Sequence, residues 1–269
     1  MHCQPHADYK VRATPRYSMQ KLLTRVAQAN TLLCVGLDPT GSDEDVTRRL
    51  PQVIAETAPY AAAFKPNLAF FLSRGNGTQL LRQVVAAVPD GIPVILDGKF
   101  GDIANTAMHY AQFAYDVVGV DAVTVNPYMG ADAVVPFARP GKFVFALAKT
   151  SNHSPIQEAE LASGEPVSEF TAKLLADLDA THGNIGLVAG ATDAAALGRL
   201  RQLCPTQWFL VPGIGAQGGD LASVMKAGLL ADGGGLLINA SRSIWQAEDS
   251  AAAARELMNE INEHRSVTA

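Results

Sequence analysis

Residues 92–102 have the sequence IPVILDGKFGD, an apolar run that ends in charged residues. The apolar part, 92–96, predicts a short buried strand. Asp97, Lys99 and Asp102 then follow within six positions. Charged groups in an apolar setting are costly unless they are paired, and the pattern Asp-x-Lys-x-x-Asp carries its own counter-charges. The stretch therefore predicts either a polar site at the end of a strand or an ion pair on a surface loop.

The same arrangement, an apolar run followed by a helical pattern, recurs along the chain. It predicts seven further strands, at 32–37, 60–64, 122–125, 143–148, 185–188, 208–211 and 236–238. Alternating strands and helices indicate a parallel sheet, and eight such units in about 250 residues are typical of a (β/α)8 TIM barrel. No linker-like segment divides the chain, so we predict one barrel domain over 18–269, preceded by an N-terminal extension at 1–17. A doubly wound open sheet is the alternative architecture.

The composition is that of a globular protein in a reducing compartment. The 269 residues are 48% hydrophobic and 17% charged, with a formal net charge of −5. An acidic chain is a poor generic binder of nucleic acid or of an anionic membrane. The cysteines have no disulfide or metal-type spacing, and no segment is typical of a secretory signal or a membrane helix. We therefore expect a cytoplasmic protein without a nucleic-acid partner, a membrane partner or a metal site.

Polar residues follow most of the predicted strands, at the ends where a barrel carries its active site. Two of these loops indicate a phosphate. Loop 212–219 contains four glycines, and Asp220 opens the next helix. A glycine-rich backbone and a helix N-terminus can direct N–H groups at an anion, and Arg242 can bind two phosphate oxygens.

Several segments, taken in order, resemble the orotidine 5′-phosphate decarboxylase family in its bacterial type 2 form. The matching segments, between about Leu32 and Arg242, are Gly36-Leu37-Asp38-Pro39, Phe64-Lys65-Pro66-Asn67, Asp97-x-Lys99-x-x-Asp102-Ile103-x-x-Thr106, Thr124-Val125-Asn126-Pro127-Tyr128, Thr150-Ser151-Asn152, 211–219 and Asn239-Ala240-Ser241-Arg242. Gly98 and Phe100 depart from the family pattern, in which we expect alanine and a basic residue.

The resemblance implies an enzyme that converts orotidine 5′-monophosphate to UMP and CO2, the last step of de novo UMP biosynthesis, without metal or organic cofactor. It makes Lys99 the group that stabilises the carbanion at C6 and protonates it. Asp97 and Asp102 would keep Lys99 charged and in place, and Lys65 would complete an alternating Lys-Asp-Lys-Asp network.

The same resemblance implies the substrate contacts. Asp38 and Lys65 would bind the ribose hydroxyls. Thr150 or Ser151, with Asn152 nearby, would hydrogen-bond the pyrimidine edge. The phosphate would be held by Gly215, Gln217 and Arg242. Asp102, Ile103 and Thr106 would reach the substrate of the other subunit, which predicts a homodimer with shared active sites.

Two other functions fit the same barrel. One is a related Mg²⁺-dependent enzyme that acts on a sugar phosphate and has a similar Asp-x-Lys-x-x-Asp. The other is a non-catalytic binder of a phosphoribosyl ligand. The Thr150-Ser151-Asn152 segment favours a pyrimidine over a sugar chain, and a second aspartate close to Lys99 has no purpose in a pure binder.

Overall fold

The computed structural model describes residues 19–214 and 218–268. In these residues eight strands alternate with helices: β1 (Leu33–Leu37), β2 (Ala63–Pro66), β3 (Ile95–Phe100), β4 (Ala122–Val125), β5 (Phe143–Lys149), β6 (Ile185–Ala189), β7 (Phe209–Pro212) and β8 (Leu236–Ala240). All neighbours are parallel, in the order β2-β1-β8-β7-β6-β5-β4-β3. Bridges from Phe64 to Val94 and from Asn67 to Asp97 bring β2 and β3 together. The predicted (β/α)8 barrel is confirmed, and the open-sheet alternative is wrong because the two ends of the sheet meet.

The helices surround this sheet, and all of them except α6 bury side chains against it or against neighbouring helices. Their bounds are α1 (Gln20–Ala29), α2 (Asp43–Thr57), α3 (Leu68–Leu72), α4 (Gly77–Ala87), α5 (Ala104–Gln112), α6 (Pro155–Glu158), α7 (Val167–His182), α8 (Ala194–Leu203), α9 (Leu221–Gly228), α10 (Arg242–Trp245) and α11 (Ser250–Thr268). The Ser42 hydroxyl caps α2 by accepting from the N–H of Asp45 at 3.1 Å. No helix in the described ranges has the length and apolar character needed to cross a bilayer.

Two segments differ from their sequence-based predictions. A helix is expected from Ala131 to Ala138, but the chain forms two short 3-10 turns, Ala131–Ala133 and Val135–Phe137. Pro136 lacks the N–H that a continuous α-helix needs there. The segment 153–165, expected as a loop, contains α6, whose first residue is Pro155. Proline is favoured at that position because its fixed φ suits the first helical turn.

Strands β2 and β3 extend further toward charged residues than the apolar runs predict. β2 includes Lys65, and β3 includes Asp97 and Lys99. A strand predicted from an apolar run ends where the first charged residue interrupts that run. Here the strands continue because the charges on β2 and β3 neutralise one another. The charged groups therefore belong to the barrel wall rather than to flexible loops.

Arg201 holds together the end of the barrel at which β7 and β8 begin. Its buried guanidinium donates to four backbone carbonyls, those of Cys204, Gln207, Gly228 and Gly235. It also lies over the Phe209 ring, with 3.8 Å from Cζ to the ring centroid. Burial lowers the pKa of Arg201 to about 10. The residue fixes the turns that lead into β7 and β8, far in sequence from the charged strand ends.

Candidate active site

The carboxyl ends of β1, β2 and β3 bring the predicted charged residues together. Gly36 of β1 is in register with Lys65 of β2, and a bridge joins Asn67 to Asp97 of β3. Lys65 and Asp97 therefore meet at the mouth of the barrel, where enzymes of this architecture carry their active sites.

Asp97 is the centre of a chain of ion pairs. Its Oδ2 accepts from Lys65 Nζ at 2.8 Å, and its Oδ1 accepts from Lys99 Nζ at 2.7 Å. The side chains of Lys65 and Asp97 are 5% and 9% exposed, whereas that of Lys99 is 48% exposed. The predicted pairing is confirmed for these three residues. Of the two ammonium groups, that of Lys99 is the one open to an incoming ligand.

Burial and charge act in opposite directions on this cluster. Burial by itself raises the pKa of Asp97, but the charges of Lys65 and Lys99 and their hydrogen bonds outweigh it and hold that pKa well below its usual range. Burial likewise favours the neutral amine of Lys65, but the charges of Asp97 and Asp38 raise its pKa. Lys65 and Asp97 are therefore both charged at neutral pH.

Thr124 of β4 completes the cluster and is absent from the residues predicted from sequence. Its hydroxyl donates to Asp97 Oδ1 at 2.8 Å and accepts from the backbone N–H of Lys99 at 2.9 Å. The signal that could have found it is the Thr124–Tyr128 segment of the family resemblance. Asn126, in the same segment, caps the turn after β4 by accepting from the N–H of Tyr128.

Asp38 is held at the end of β1 by Ser241, a second residue missing from the prediction. Ser241 Oγ donates to Asp38 Oδ2 at 2.5 Å. Gly36 makes room for this contact, because a Cβ there would lie 2.6 Å from Ser241 Cβ. Asp38 Oδ1 is buried and has no hydrogen-bond partner among the described residues. A buried acceptor without a donor suits a ligand hydroxyl.

The predicted pyrimidine contacts at the end of β5 have different partners. The Thr150 hydroxyl donates to Asn152 Oδ1 at 2.7 Å and accepts from Gln157 Nε2 at 2.8 Å. The hydroxyl of Ser151 is half-buried and makes no hydrogen bond with the described residues. Thr150 and Asn152 are therefore occupied with each other, and the Ser151 hydroxyl is the one available to a ligand.

The loop after β5 is tied to the barrel by an ion pair that the sequence did not predict. Lys149, at the end of β5, is buried and donates to Glu158 Oε1 of α6 at 2.7 Å. The hydrogen bond from Lys149 is the main cause that lowers the pKa of Glu158. The pair holds α6 beside Thr150 and Ser151.

Asp102, Ile103 and Thr106 lie beside the ion pairs but do not join them. Asp102 Oδ1 accepts from the N–H of Ile103 at 2.8 Å. The flanking of Lys99 by Asp102 stays a prediction, and the described chain shows no ion pair between these two residues. Ile103 is half-exposed and Thr106 is exposed. Asp102 is partly exposed as well.

The predicted phosphate loop is only partly described. Gly215 and Gln217 lie outside the described residues. Arg242 begins α10 and is exposed, and its side chain makes no hydrogen bond or ion pair with the described residues. Asp220 caps the N-terminus of α9, as predicted, and its carboxylate accepts from the N–H of Ser223 at 2.9 Å. A helix end that already carries a carboxylate disfavours a second anion, so Arg242 is the described group that suits a phosphate.

In the ranges 19–214 and 218–268, no three His, Cys, Asp or Glu side chains are grouped so that they could hold a metal ion.

Comparison with known proteins identifies the family. Residues 31–257 match the model of the orotidine 5′-phosphate decarboxylase / HUMPS family. An orotidine 5′-phosphate decarboxylase of Azoarcus sp. is 44% identical over 245 residues, covering 85% of this chain and 90% of that protein. One of Cupriavidus metallidurans is 41% identical over 252 residues, covering 87% and 92%.

Solved structures of similar fold point to the same family. A putative orotidine-monophosphate-decarboxylase from Toxoplasma gondii has a TM-score of 0.90 at 38% identity, covering 94% of this chain and 98% of that chain. The Leishmania donovani OMP decarboxylase has a TM-score of 0.86 at 44% identity, covering 92% and 98%. The Leishmania donovani UMP synthase has a TM-score of 0.88 at 47% identity, and this chain covers 56% of its length. The chain described here belongs to the orotidine 5′-phosphate decarboxylase / HUMPS family.

Proposed function

We propose that this chain is an orotidine 5′-phosphate decarboxylase, which converts orotidine 5′-monophosphate to UMP and CO2 with Lys99 as the proton donor. The observation that carries the proposal is the Lys65–Asp97–Lys99 chain of ion pairs at the barrel mouth, in a member of this family. The relatives compared above are named as decarboxylases or as a UMP synthase, and they support neither the sugar-phosphate nor the non-catalytic alternative.

The chemical difficulty is the charge that develops on a ring carbon. The bond between C6 and the carboxylate carbon breaks, its electron pair stays on C6, and CO2 leaves. A cation already in place beside C6 stabilises that electron pair without having to reorganise. The Lys99 ammonium then transfers a proton to C6, which yields UMP and a neutral amine that regains a proton from water.

Accessibility assigns the roles of the two lysines. The Lys65 ammonium is buried against Asp97, so it positions that carboxylate and reaches only groups at the ribose side of the site. The Lys99 ammonium is half-exposed yet anchored by Asp97, so it can approach a substrate carbon from a defined direction. Catalysis requires this combination of access and fixed orientation.

The remaining contacts follow from the unsatisfied polar groups. Asp38 Oδ1 accepts from a ribose hydroxyl, with Lys65 as the neighbouring donor. Ser151, rather than Thr150, hydrogen-bonds the pyrimidine edge, because its hydroxyl is not occupied within the described chain. Arg242, together with Gly215 and Gln217, binds the phosphate, and the energy of this remote contact serves to orient the ring.

The active enzyme is a homodimer in which Asp102, Ile103 and Thr106 contact the substrate of the partner subunit. The support is a set of exposed apolar side chains beside Asp102, which a second copy would cover. These side chains, just before α5, on α5 and in the turn after β4, are Ile103, Met108, Tyr110, Tyr128 and Met129.

The proposal also includes the cellular location of the protein and its N-terminal extension. The protein works in the cytoplasm, which suits the free buried thiols of Cys34 and Cys204. Residues 1–17, which lie outside the described residues, are proposed as an N-terminal extension to the barrel domain, 18–269. The family match begins at residue 31, after the proposed extension.

The decisive experiment follows the ultraviolet absorbance of orotidine 5′-monophosphate with purified protein and an excess of chelator. We expect conversion to UMP that the chelator does not slow. Inactivity on this substrate, or activity lost with the chelator and restored by Mg²⁺, would overturn the proposal. Lys99→Ala should abolish turnover while UMP still binds, and retained turnover would remove Lys99 from its role.

Sharing of the site between subunits has its own test. Asp97→Ala and Asp102→Ala proteins, each inactive alone, are mixed after partial unfolding and refolding. Random pairing should restore about a quarter of the wild-type activity, because half of the dimers are mixed and one of their two sites is then intact. No recovery in dimers shown to have exchanged subunits would contradict sharing.

A further inference from the structure

We propose that Thr124 is a positioning residue of the reaction: its hydroxyl links the side chain of Asp97 to the backbone of Lys99 and so directs the Lys99 ammonium toward the substrate. The inference deepens the proposed function and rests on it, because Lys99 is there the proton donor.

The first observation is an irregularity between β3 and β4. Leu96 is in register with Val123, and Phe100 is in register with Val125. Three residues of β3, 97–99, therefore lie opposite the single residue Thr124. Such a bulge re-aims side chains and leaves backbone groups without their usual ladder partners.

The second observation is how the freed backbone group is satisfied. The N–H of Lys99 donates to the hydroxyl of Thr124 at 2.9 Å instead of to a carbonyl of β4. Lys99 has a φ of +44°, in the left-handed region that is unfavourable for a residue with a side chain. Surrounding contacts must hold such a conformation. The Thr124 hydroxyl is a side-chain contact made directly to the strained residue.

The third observation is that the same hydroxyl also reaches the catalytic carboxylate. It donates to Asp97 Oδ1 at 2.8 Å, the oxygen that also accepts from Lys99 Nζ. One hydroxyl thus uses its hydrogen on the carboxylate and a lone pair on the N–H of Lys99. Because Thr124 is 1% exposed, water cannot readily replace it. Valine, of the same shape, can make neither bond, and serine can make both.

The test compares Thr124→Val with Thr124→Ser in purified protein. We expect valine to lower kcat about 100-fold, since a hydrogen bond to a charged group and one to a strained backbone are both lost. The affinity for UMP should change less than about threefold, because the product is held by other groups. Serine should keep kcat within about threefold of the wild type.

A matched control is available in Thr31. Its buried hydroxyl has the same bonding pattern, accepting from the N–H of Leu33 at 3.1 Å and donating to Tyr60 O at 2.7 Å, but it lies before β1 and away from the site. Thr31→Val should cost comparable thermal stability and leave kcat unchanged. If Thr124→Val does not fold, Thr124→Ala removes the same hydroxyl in a smaller side chain.

The outcomes separate this inference from the proposed function. If Lys99→Ala is inactive but Thr124→Val or Thr124→Ala keeps kcat within about threefold of the wild type, the positioning role is wrong and the proposed chemistry stands. Equal losses of kcat in the serine and valine variants would mean that the methyl packing matters and the hydroxyl does not, which also overturns the inference. If Lys99→Ala remains active, the proposed chemistry fails, and this inference fails with it.

Discussion

Replacing Asp97 with asparagine should lower the free energy of unfolding by about 3–5 kcal/mol at neutral pH, the range measured when one partner of a buried ion pair is removed. The structure gives the reason. Asp97 accepts from Lys65, Lys99 and Thr124 through two oxygens. Asparagine has one acceptor oxygen and a second group that only donates. At least one ammonium then faces a donor, and Lys65, only 5% exposed, cannot turn to water.

Over the range in which this cluster leaves the stability of the wild type independent of pH, the stability of the variant should rise with pH. In the wild type the pKa of Lys65 is raised, so its stabilising contribution is present below its ordinary pKa of 10.5 and is lost as the pH rises through the folded-state value. The contribution of Asp97, whose pKa is lowered, is present above 3.8 and is lost as the pH falls below that value. In Asp97→Asn the burial of Lys65 is no longer offset by that charge, so the pKa of Lys65 falls. The unfolded chain then binds more protons than the folded one, and stability rises with pH toward 10.5.

The measurement is urea unfolding, monitored by the fluorescence of the buried Trp208 and Trp245, from about pH 6 to about pH 10. Asp116→Asn is the control, because its ion pair with Arg139 lies on the surface and should contribute less than about 1 kcal/mol. If Asp97→Asn loses no more stability than Asp116→Asn, or if its stability follows pH in parallel with the wild type, then Asp97 does not neutralise the buried Lys65.

Three further substitutions test separate parts of the molecule. Arg242→Ala should weaken UMP binding about 100-fold and leave the affinity for the free nucleoside unchanged, because a guanidinium–phosphate contact is lost; equal losses in calorimetry would contradict the phosphate assignment. Ser241→Ala should raise KM for orotidine 5′-monophosphate about tenfold, since Asp38 loses the donor that orients it. An unchanged KM would mean that Asp38 keeps its position without Ser241. Arg201→Met should lower the free energy of unfolding by about 3 kcal/mol and leave KM unchanged, because four carbonyls lose their donor; wild-type stability in urea would disprove that structural role.

The barrel itself could be predicted because its signals are local. Each of the predicted strands overlaps an observed one, since apolar runs and the helical patterns between them reflect burial within a few residues of chain. The ends of β2 and β3 could not be placed in this way. Whether Lys65 and Asp97 end a strand or continue it depends on a neutralising charge on the adjacent strand, which local periodicity does not register.

The residues of the site likewise fall into those that local sequence patterns could predict and those that they could not. Lys65, Asp97 and Lys99 could be predicted from their charge pattern and from the family resemblance. Thr124 and Ser241 could not be singled out by chemistry alone, because a threonine or serine near a strand end is common. Thr124 lies 27 residues from Asp97 in sequence, and Ser241 lies 203 residues from Asp38. Contacts over such separations depend on strand register, which in a closed barrel is set by all eight strands together.

The eight-unit barrel, the charged residues at its mouth and the family to which they point can all be inferred from local sequence patterns. Only the tertiary structure shows that the Lys65 ammonium is buried while that of Lys99 is open, that the Asp102 carboxylate accepts from the N–H of Ile103, and that one threonine hydroxyl joins Asp97 to the strained backbone of Lys99. Burial patterns depend on residues that are neighbours in the chain. The direction of a side chain depends instead on which strand lies beside it and on the bulge between the two strands.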